Sequence, residues 1–125
     1  MRSLDIPATS SSPLIRFDPE TSTLLMEGES YPENSFEFYD PILAWLKEAL
    51  ASLANLRVEI VISYMNSSST KCMLDLLDLM EEAFGQGVSV SVVWRYSPEN
   101  PRALDLAEEF QEEVTFEFLI VPSES

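Results

Sequence analysis

Two segments that alternate between apolar and polar residues constrain the fold of this chain most: residues 56–65 (LRVEIVISYM) and 88–96 (VSVSVVWRY). Successive side chains of a strand point to opposite faces of its sheet, so each segment presents one apolar and one mixed face. The apolar positions are Leu56, Val58, Ile60, Ile62 and Tyr64 in the first segment and Val88, Val90, Val92, Trp94 and Tyr96 in the second. A sheet covered on both faces would show continuous apolar runs instead. The pattern therefore predicts a sheet whose helices lie mainly on one face.

A hairpin and a helix are predicted ahead of these strands. PLIRFD (13–18) and STLLMEG (22–28) flank the turn sequence DPET and indicate two antiparallel strands. Residues 29–40 are predicted to be irregular. Asp40 followed by Pro41 is typical of a helix start, with Asp as the capping residue. Apolar residues at helical spacing support this start, namely Ile42, Trp45, Leu46, Ala49, Leu50 and Leu53.

Helices and strands alternate through the rest of the chain. One helix is predicted over residues 70–85, with Gly85 and Gly87 as breakers, and another over residues 101–113. FEFLIV (116–121) predicts the last strand. The order is then ββαβαβαβ, and right-handed crossovers make the later strands parallel.

Length and composition fit one globular domain. The chain has 125 residues, of which 46% are apolar, and this suffices for a hydrophobic core. We expect an α/β fold with a mixed sheet of about five strands in a single domain at 13–125. A flexible polar arm is expected at 1–12.

The net charge limits the classes of partner. Acidic residues number 22 and basic residues 7, which gives a net charge of −15. Such a chain repels nucleic acid and anionic membrane surfaces, so neither is expected as a partner. The N-terminus lacks the apolar segment of a signal peptide, and the single cysteine, Cys72, is typical of a reducing compartment. A cytoplasmic location is the expectation.

Several kinds of catalysis are excluded by composition. The chain has no histidine, which removes Ser-His-Asp and Cys-His catalysis and every His-containing metal site. No dinucleotide, Walker A or metalloprotease motif is present. No catalytic residue, cofactor or metal is therefore expected. A small carboxylate-dependent hydrolase stays as an alternative, although acids this dense on helices are more typical of a solvated face.

Four consecutive hydroxyl residues, Ser67, Ser68, Ser69 and Thr70, precede the helix predicted at 70–85. Ser68 or Ser69 as a helix cap would account for one hydroxyl, but not for four. The run follows a strand, where open α/β sheets place their functional loops, and a helix N-terminus with Lys71 nearby favours an anion. A phosphoryl group here would add close to two negative charges to the surface. These residues are therefore candidates for a phosphorylation switch.

Two further features are candidates for partner contacts. Leu74 and Leu79 fall outside the apolar stripe of the helix at 70–85, so packing is favoured but docking on a partner is the alternative. Tyr39 lies in an aromatic segment just before the first predicted helix. The same two interpretations, core anchor or partner-facing rim, stay open for it.

Specific motifs resemble a known family. The order of elements, with a serine-rich loop between strand and helix, looks like the STAS domain of anti-sigma-factor antagonists. YPENSFEFYDPILAW (31–45), YMNSSSTKCMLDLLDLMEEA (64–83), VVWRY (92–96) and LAEEFQE (106–112) resemble the SiaC family of bacterial regulatory phosphoproteins more closely. The similarity covers nearly the whole chain from about residue 13, and it implies a STAS-like fold.

The resemblance implies a non-enzymatic module that cycles between two states. A Ser/Thr kinase of the histidine-kinase-like ATPase type would phosphorylate the loop, and a PP2C-type phosphatase would reverse this. The unphosphorylated form would bind and activate a GGDEF diguanylate cyclase and so promote biofilm or aggregate formation through cyclic di-GMP. The hydroxyl directly after Asn66 is the implied phosphoacceptor, which assigns Ser67, with Ser68, Ser69 and Thr70 as alternatives. Together with the residues considered above, the candidate partner contacts are Asn66, Ser67, Ser68, Ser69, Lys71, Leu74 and Tyr39.

Two other functions remain open from the sequence. An anti-sigma-factor antagonist would use the same switch on another partner, although the glycine that follows the STAS serines is absent here. A purely structural subunit would leave the hydroxyl run unexplained.

Overall fold

A six-stranded mixed sheet organises the protein in the computed structural model, which describes residues 3–123. The elements are β1 (Asp5–Ile6), β2 (Leu14–Asp18), β3 (Thr23–Ser30), α1 (Ser35–Ser52), β4 (Asn55–Met65), α2 (Ser67–Gly85), β5 (Ser89–Tyr96), α3 (Pro101–Gln111) and β6 (Glu117–Pro122). Strands neighbour one another in chain order. The pairs β1–β2 and β2–β3 are antiparallel, and the pairs from β3 to β6 are parallel. The predicted α/β class, the hairpin and the later parallel strands are confirmed, with six strands instead of about five.

The additional strand lies inside the predicted arm. Asp5 and Ile6 pair with Arg16 and Ile15 of β2, and Ser12 is buried. The part of the arm that the structure describes therefore contributes to the sheet edge. Residues 1 and 2 of the predicted arm lie outside the described residues.

The alternating segments place the core on one face of the sheet, as predicted. Apolar side chains of β4 and β5 share one buried cluster with residues from all three helices. On the opposite face, Glu59 accepts a hydrogen bond from Arg57 at 3.0 Å and forms an ion pair with Arg95 at 3.6 Å. No helix within residues 3–123 combines the length and the apolar character that a membrane crossing requires.

A bulge near the end of β4 changes which residues face the core. The register against β3 shifts between Gly28 and Glu29, so that Ser63 is left as the extra residue. Met65 consequently turns into the core, and Tyr64 is 51% exposed. The assignment of Tyr64 to the apolar face is therefore wrong, because strict alternation does not survive a bulge. The side chain of Asn100 donates to the Ser63 carbonyl at 3.1 Å and so satisfies it.

All three helices begin at an asparagine. Asn34, Asn66 and Asn100 each cap the helix that follows by accepting an amide hydrogen bond three residues on. The predicted start of α1 at Asp40 is wrong, since Pro41 lies inside the helix. Pro41 removes the amide that would bond to the Glu37 carbonyl, but both residues are exposed, so water can serve that carbonyl.

One carboxylate ties α2 to the segment between α3 and β6. Glu81 accepts hydrogen bonds from the Thr115 amide, at 2.8 Å, and from the Thr115 hydroxyl. These bonds hold the pKa of Glu81 below its usual value, because they favour the charged form.

We expect Glu81→Gln to lower the stability of the fold at neutral pH. Since the folded pKa is depressed, the stabilisation is present above the unfolded pKa and is lost as pH falls through the folded pKa. Melting temperatures of the wild type and the variant should therefore differ at pH 7 and converge in acid. Glu82→Gln, on the exposed neighbour, is the matched control. A difference that persists unchanged in acid would contradict the assignment.

Candidate functional site

The carboxyl ends of β3 and β4 meet the first turns of α1 and α2, and the hydroxyl run lies at this junction. A single residue, Asn66, separates β4 from α2. Its side-chain oxygen accepts the Ser69 amide at 2.9 Å. Asn66 is thus the cap that sequence reasoning assigned to Ser68 or Ser69, and the helix begins at Ser67, three residues earlier than predicted. The four hydroxyls consequently occupy the first turn of α2.

The four hydroxyls lie in different environments. Ser69 is 0% exposed, Ser68 and Thr70 are half-buried, and Ser67 is exposed. The Thr70 hydroxyl donates to the Asn66 carbonyl at 3.0 Å. Ser67 Oγ makes no hydrogen bond to any residue between 3 and 123. Of the four, Ser67 is the most exposed, and it is the one whose hydroxyl has no hydrogen-bond partner among the described residues.

A buried chain of hydroxyls runs beneath this turn. Ser30 Oγ lies 2.7 Å from Tyr39 Oη and 2.8 Å from Ser69 Oγ. Ser69 Oγ lies 3.0 Å from Ser35 Oγ, which donates to Asn66 Oδ1 at 3.4 Å. The chain therefore connects the end of β3 with the first turns of both helices.

Each hydroxyl of this buried hydroxyl chain can donate one hydrogen bond to the next member. If Tyr39 donates to Ser30, the order continues through Ser69 and Ser35 and ends at Asn66 Oδ1, an acceptor that has no proton to pass on. Burial raises the pKa of Tyr39 to about 12 despite the hydrogen bond with Ser30, so its hydroxyl stays protonated and able to donate. A fully satisfied buried network of this kind fixes the positions of its members.

Tyr39 is placed in the core and not on a rim. Its side chain is 0% exposed, and its ring contacts Phe38 edge to face at 5.0 Å. The structure therefore favours the packing interpretation, since no part of the Tyr39 side chain lies on the surface. Ser69 is equally buried, and its hydroxyl belongs to the same buried chain of hydrogen bonds.

The exposed aromatic residue near the hydroxyl run is Phe36, in the first turn of α1. Phe36 is 46% exposed, and Lys71 Nζ lies 6.0 Å from the centre of its ring. An open cleft of about 790 Å³ borders it, lined by Glu33, Asn34, Ser35, Phe36, Glu37, Phe38 and Ser68. Phe36 belongs to the aromatic segment considered from the sequence, but Tyr39 was chosen as the contact because residues 29–40 were treated as irregular and their faces could not be told apart. The spacing of Asn34 and Glu37 was the available signal, since it is typical of a capping box.

A pair of exposed aromatic residues lies at the ends of β3 and β4. Tyr31 and Tyr64 are 41% and 51% exposed, with ring centres 5.9 Å apart in an edge-to-face arrangement. Neither residue was a candidate from the sequence, since Tyr64 was assigned to the core and Tyr31 to the irregular segment 29–40. Exposed aromatics of this size are typical of surfaces that bind proteins.

The other predicted site residues divide between surface and core. Lys71 is exposed, whereas Leu74 is half-buried and packs against the core. Cys72 is buried, and its burial raises the pKa of the thiol, so the side chain serves packing. The structure thus places Ser68 and Lys71 beside Phe36, with Ser67 exposed in the same helical turn and Asn66 half-buried at the cap.

We expect Ser69→Ala to destabilise the protein by about 1–3 kcal/mol, because it leaves the buried hydroxyl of Ser30 without its acceptor. Ser67→Ala should change the free energy of unfolding by less than about 0.5 kcal/mol, since an exposed hydroxyl is lost. Urea denaturation of both variants gives the comparison. Equal losses would show that the buried chain contributes nothing of its own.

Comparison with known proteins identifies close relatives. Residues 6–123 match the family described as SiaC family regulatory phosphoprotein. An uncharacterized protein of Pseudomonas aeruginosa strain UCBPP-PA14 is 43% identical over 121 residues, which cover 96% of each protein. The crystal structure of apo-SiaC from Pseudomonas aeruginosa matches with a TM-score of 0.91 at 42% identity, over 97% of this chain and 99% of that chain. A chain in the crystal structure of the diguanylate cyclase SiaD in complex with its activator SiaC, from the same organism, matches with a TM-score of 0.91 at 42% identity, over 96% and 99%.

Proposed function

The chain belongs to the SiaC family of regulatory phosphoproteins, and on that premise we propose that it activates a GGDEF diguanylate cyclase and is controlled by phosphorylation. The strongest support is the relative described as the activator of the cyclase SiaD. This chain matches it over 96% of its own length at a TM-score of 0.91. The function is non-enzymatic, and the unphosphorylated form is the active one. A cytoplasmic location suits partners that consume ATP and GTP.

Ser67 is the phosphoacceptor in this proposal. It is the exposed member of the run, and it is the first residue of α2, where helix amides and the helix dipole favour a negative group. The neighbouring hydroxyls are already engaged in hydrogen bonds. A phosphoryl group at Ser67 therefore changes the surface and leaves the buried chain intact.

The cycle needs two further partners of the classes that the family resemblance implies. A histidine-kinase-like ATPase-type Ser/Thr kinase adds the phosphoryl group, and a PP2C-type phosphatase removes it. Both must reach Ser67, whose exposure and lack of hydrogen bonds support such access. An anti-sigma-factor antagonist would use the same site, and co-purification of a cyclase or of an anti-sigma kinase separates the two functions.

We expect Ser67→Ala to fold normally, to resist its kinase and to hold the cyclase permanently. Ser67→Asp should bind the cyclase weakly, although a carboxylate has less charge and fewer acceptor oxygens than a phosphate. Intact mass, phosphosite mapping and cyclase binding check these outcomes. Ser63→Ala, which removes an exposed serine of β4, is the control. Phosphorylation of this turn in the Ser67→Ala protein, with release of the cyclase, would show that another hydroxyl is the acceptor.

We also propose that Phe36 contributes to the docking surface, because it is exposed beside Ser68 and Lys71. Phe36→Ala should weaken cyclase binding by about 2 kcal/mol if the ring is a central anchor, with little change in melting temperature. Phe84→Ala, at the opposite end of α2 and 42% exposed, is the matched control. Tyr39→Ala should instead lower the melting temperature, because it opens a cavity in the core. Equal effects of Phe36→Ala and Phe84→Ala on binding would exclude a specific role for Phe36.

A further inference from the structure

The net charge of the chain indicates that phosphorylation releases a partner through local contacts and not through long-range repulsion. At a net charge of −15, the protein already repels acidic partners, so a partner that binds it presents a neutral or basic surface. Two additional negative charges do not repel such a surface at long range. The phosphoryl group must therefore alter a specific contact near Ser67.

Lys71 is the residue placed to respond. It is the only basic residue in the first two turns of α1 and α2, residues 35–42 and 67–74. Exposed acids surround this region, among them Glu33, Glu37 and Asp75. Its ammonium group lies 6.0 Å from the centre of the Phe36 ring, at the outer limit of a cation–π contact. The contact is exposed and weak, so a stronger partner can take the ammonium group away.

The helix supplies that stronger partner when Ser67 is phosphorylated. Ser67 and Lys71 are four residues apart on α2, so their side chains are neighbours on one face. A phosphoserine at this position offers Lys71 a charge-assisted hydrogen bond, which is stronger than a contact with an exposed ring. Modification would then draw Lys71 from Phe36 without any change in the backbone.

From this geometry we infer that Lys71 is a specificity-determining residue of the docking surface and has two positions. It lies on Phe36 in the unphosphorylated protein, where the cyclase contacts the pair, and on the phosphate in the phosphorylated protein, where the pair is broken. This inference rests on the proposed function, since it requires phosphorylation of Ser67 and a diguanylate cyclase as the partner. It assigns the release to the loss of one contact and not to the added charge as such.

The test compares the two phosphorylation states of the wild type, Lys71→Gln and Lys71→Arg. Each protein is phosphorylated by the kinase, the occupancy of Ser67 is confirmed by mass spectrometry, and the dissociation constant for the purified cyclase is measured in both states. Unphosphorylated Lys71→Gln should bind the cyclase about 2- to 5-fold more weakly than the wild type. The ratio of the dissociation constant of the phosphorylated form to that of the unphosphorylated form should decrease by a similar factor. Lys71→Arg should keep the wild-type affinity and the wild-type ratio. Lys47→Gln, which removes an exposed lysine of α1, should change neither.

The alternative mechanism predicts a change of opposite sign. If the phosphate acts only through its charge and its desolvation, Lys71→Gln removes a neutralising cation, and the ratio of dissociation constants should increase. An unchanged or larger ratio would overturn the inference while leaving the proposed function in place. Failure of the wild type to be phosphorylated at Ser67, or to release the cyclase when phosphorylated, would overturn both.

Discussion

Asn66 makes the contacts on which the rest of the site depends. Its amide donates to the Ser30 carbonyl at 3.0 Å and thereby prolongs the pairing of β3 with β4 beyond the sheet. Its carbonyl accepts the amide and the hydroxyl of Thr70, and its side-chain oxygen accepts the Ser69 amide. One residue therefore ends a strand, begins a helix and fixes the direction in which that helix leaves the sheet. No loop intervenes, so the position of Ser67 is set by the sheet itself.

The regular parts of the fold were predictable from the sequence, and the irregular parts were not. Alternation over 56–65 predicted the strand and its covered face, because a period of two has one structural meaning. Tyr64 was misplaced because the bulge at Ser63 depends on pairing with β3, and no property of the segment alone reveals it. The start of α1 was misplaced for another reason. Asp40-Pro41 carries a strong local signal, but the cap at Asn34 and the packing of Tyr39 against Ser30 favour a longer helix.

The choice among the four hydroxyls also required the structure. Successive residues of a helix point about 100° apart, so four in a row take four different directions. The sequence alone does not fix how the helix is rotated, and for this reason it left Ser68, Ser69 and Thr70 open beside Ser67. The rotation observed points Ser69 into the buried chain with Ser30 and Ser35 and leaves Ser67 on the surface. Resemblance to the family suggested Ser67, and accessibility supports the same residue independently.

The first position of a helix is well suited to a reversible modification. A phosphoryl group at Ser67 would meet unpaired helix amides and the positive end of the dipole, which stabilise a negative charge. Modification further along α2 would replace a helix-internal or buried contact and would disturb the core through Cys72, Met73 or their neighbours. A phosphoryl group at Ser67 would therefore leave intact the buried hydroxyl chain that connects the two helices. In the proposed cycle the backbone need not change, and the difference that a partner detects would then lie on the surface, where Lys71, one helical turn from Ser67, lies 6.0 Å from the centre of the Phe36 ring.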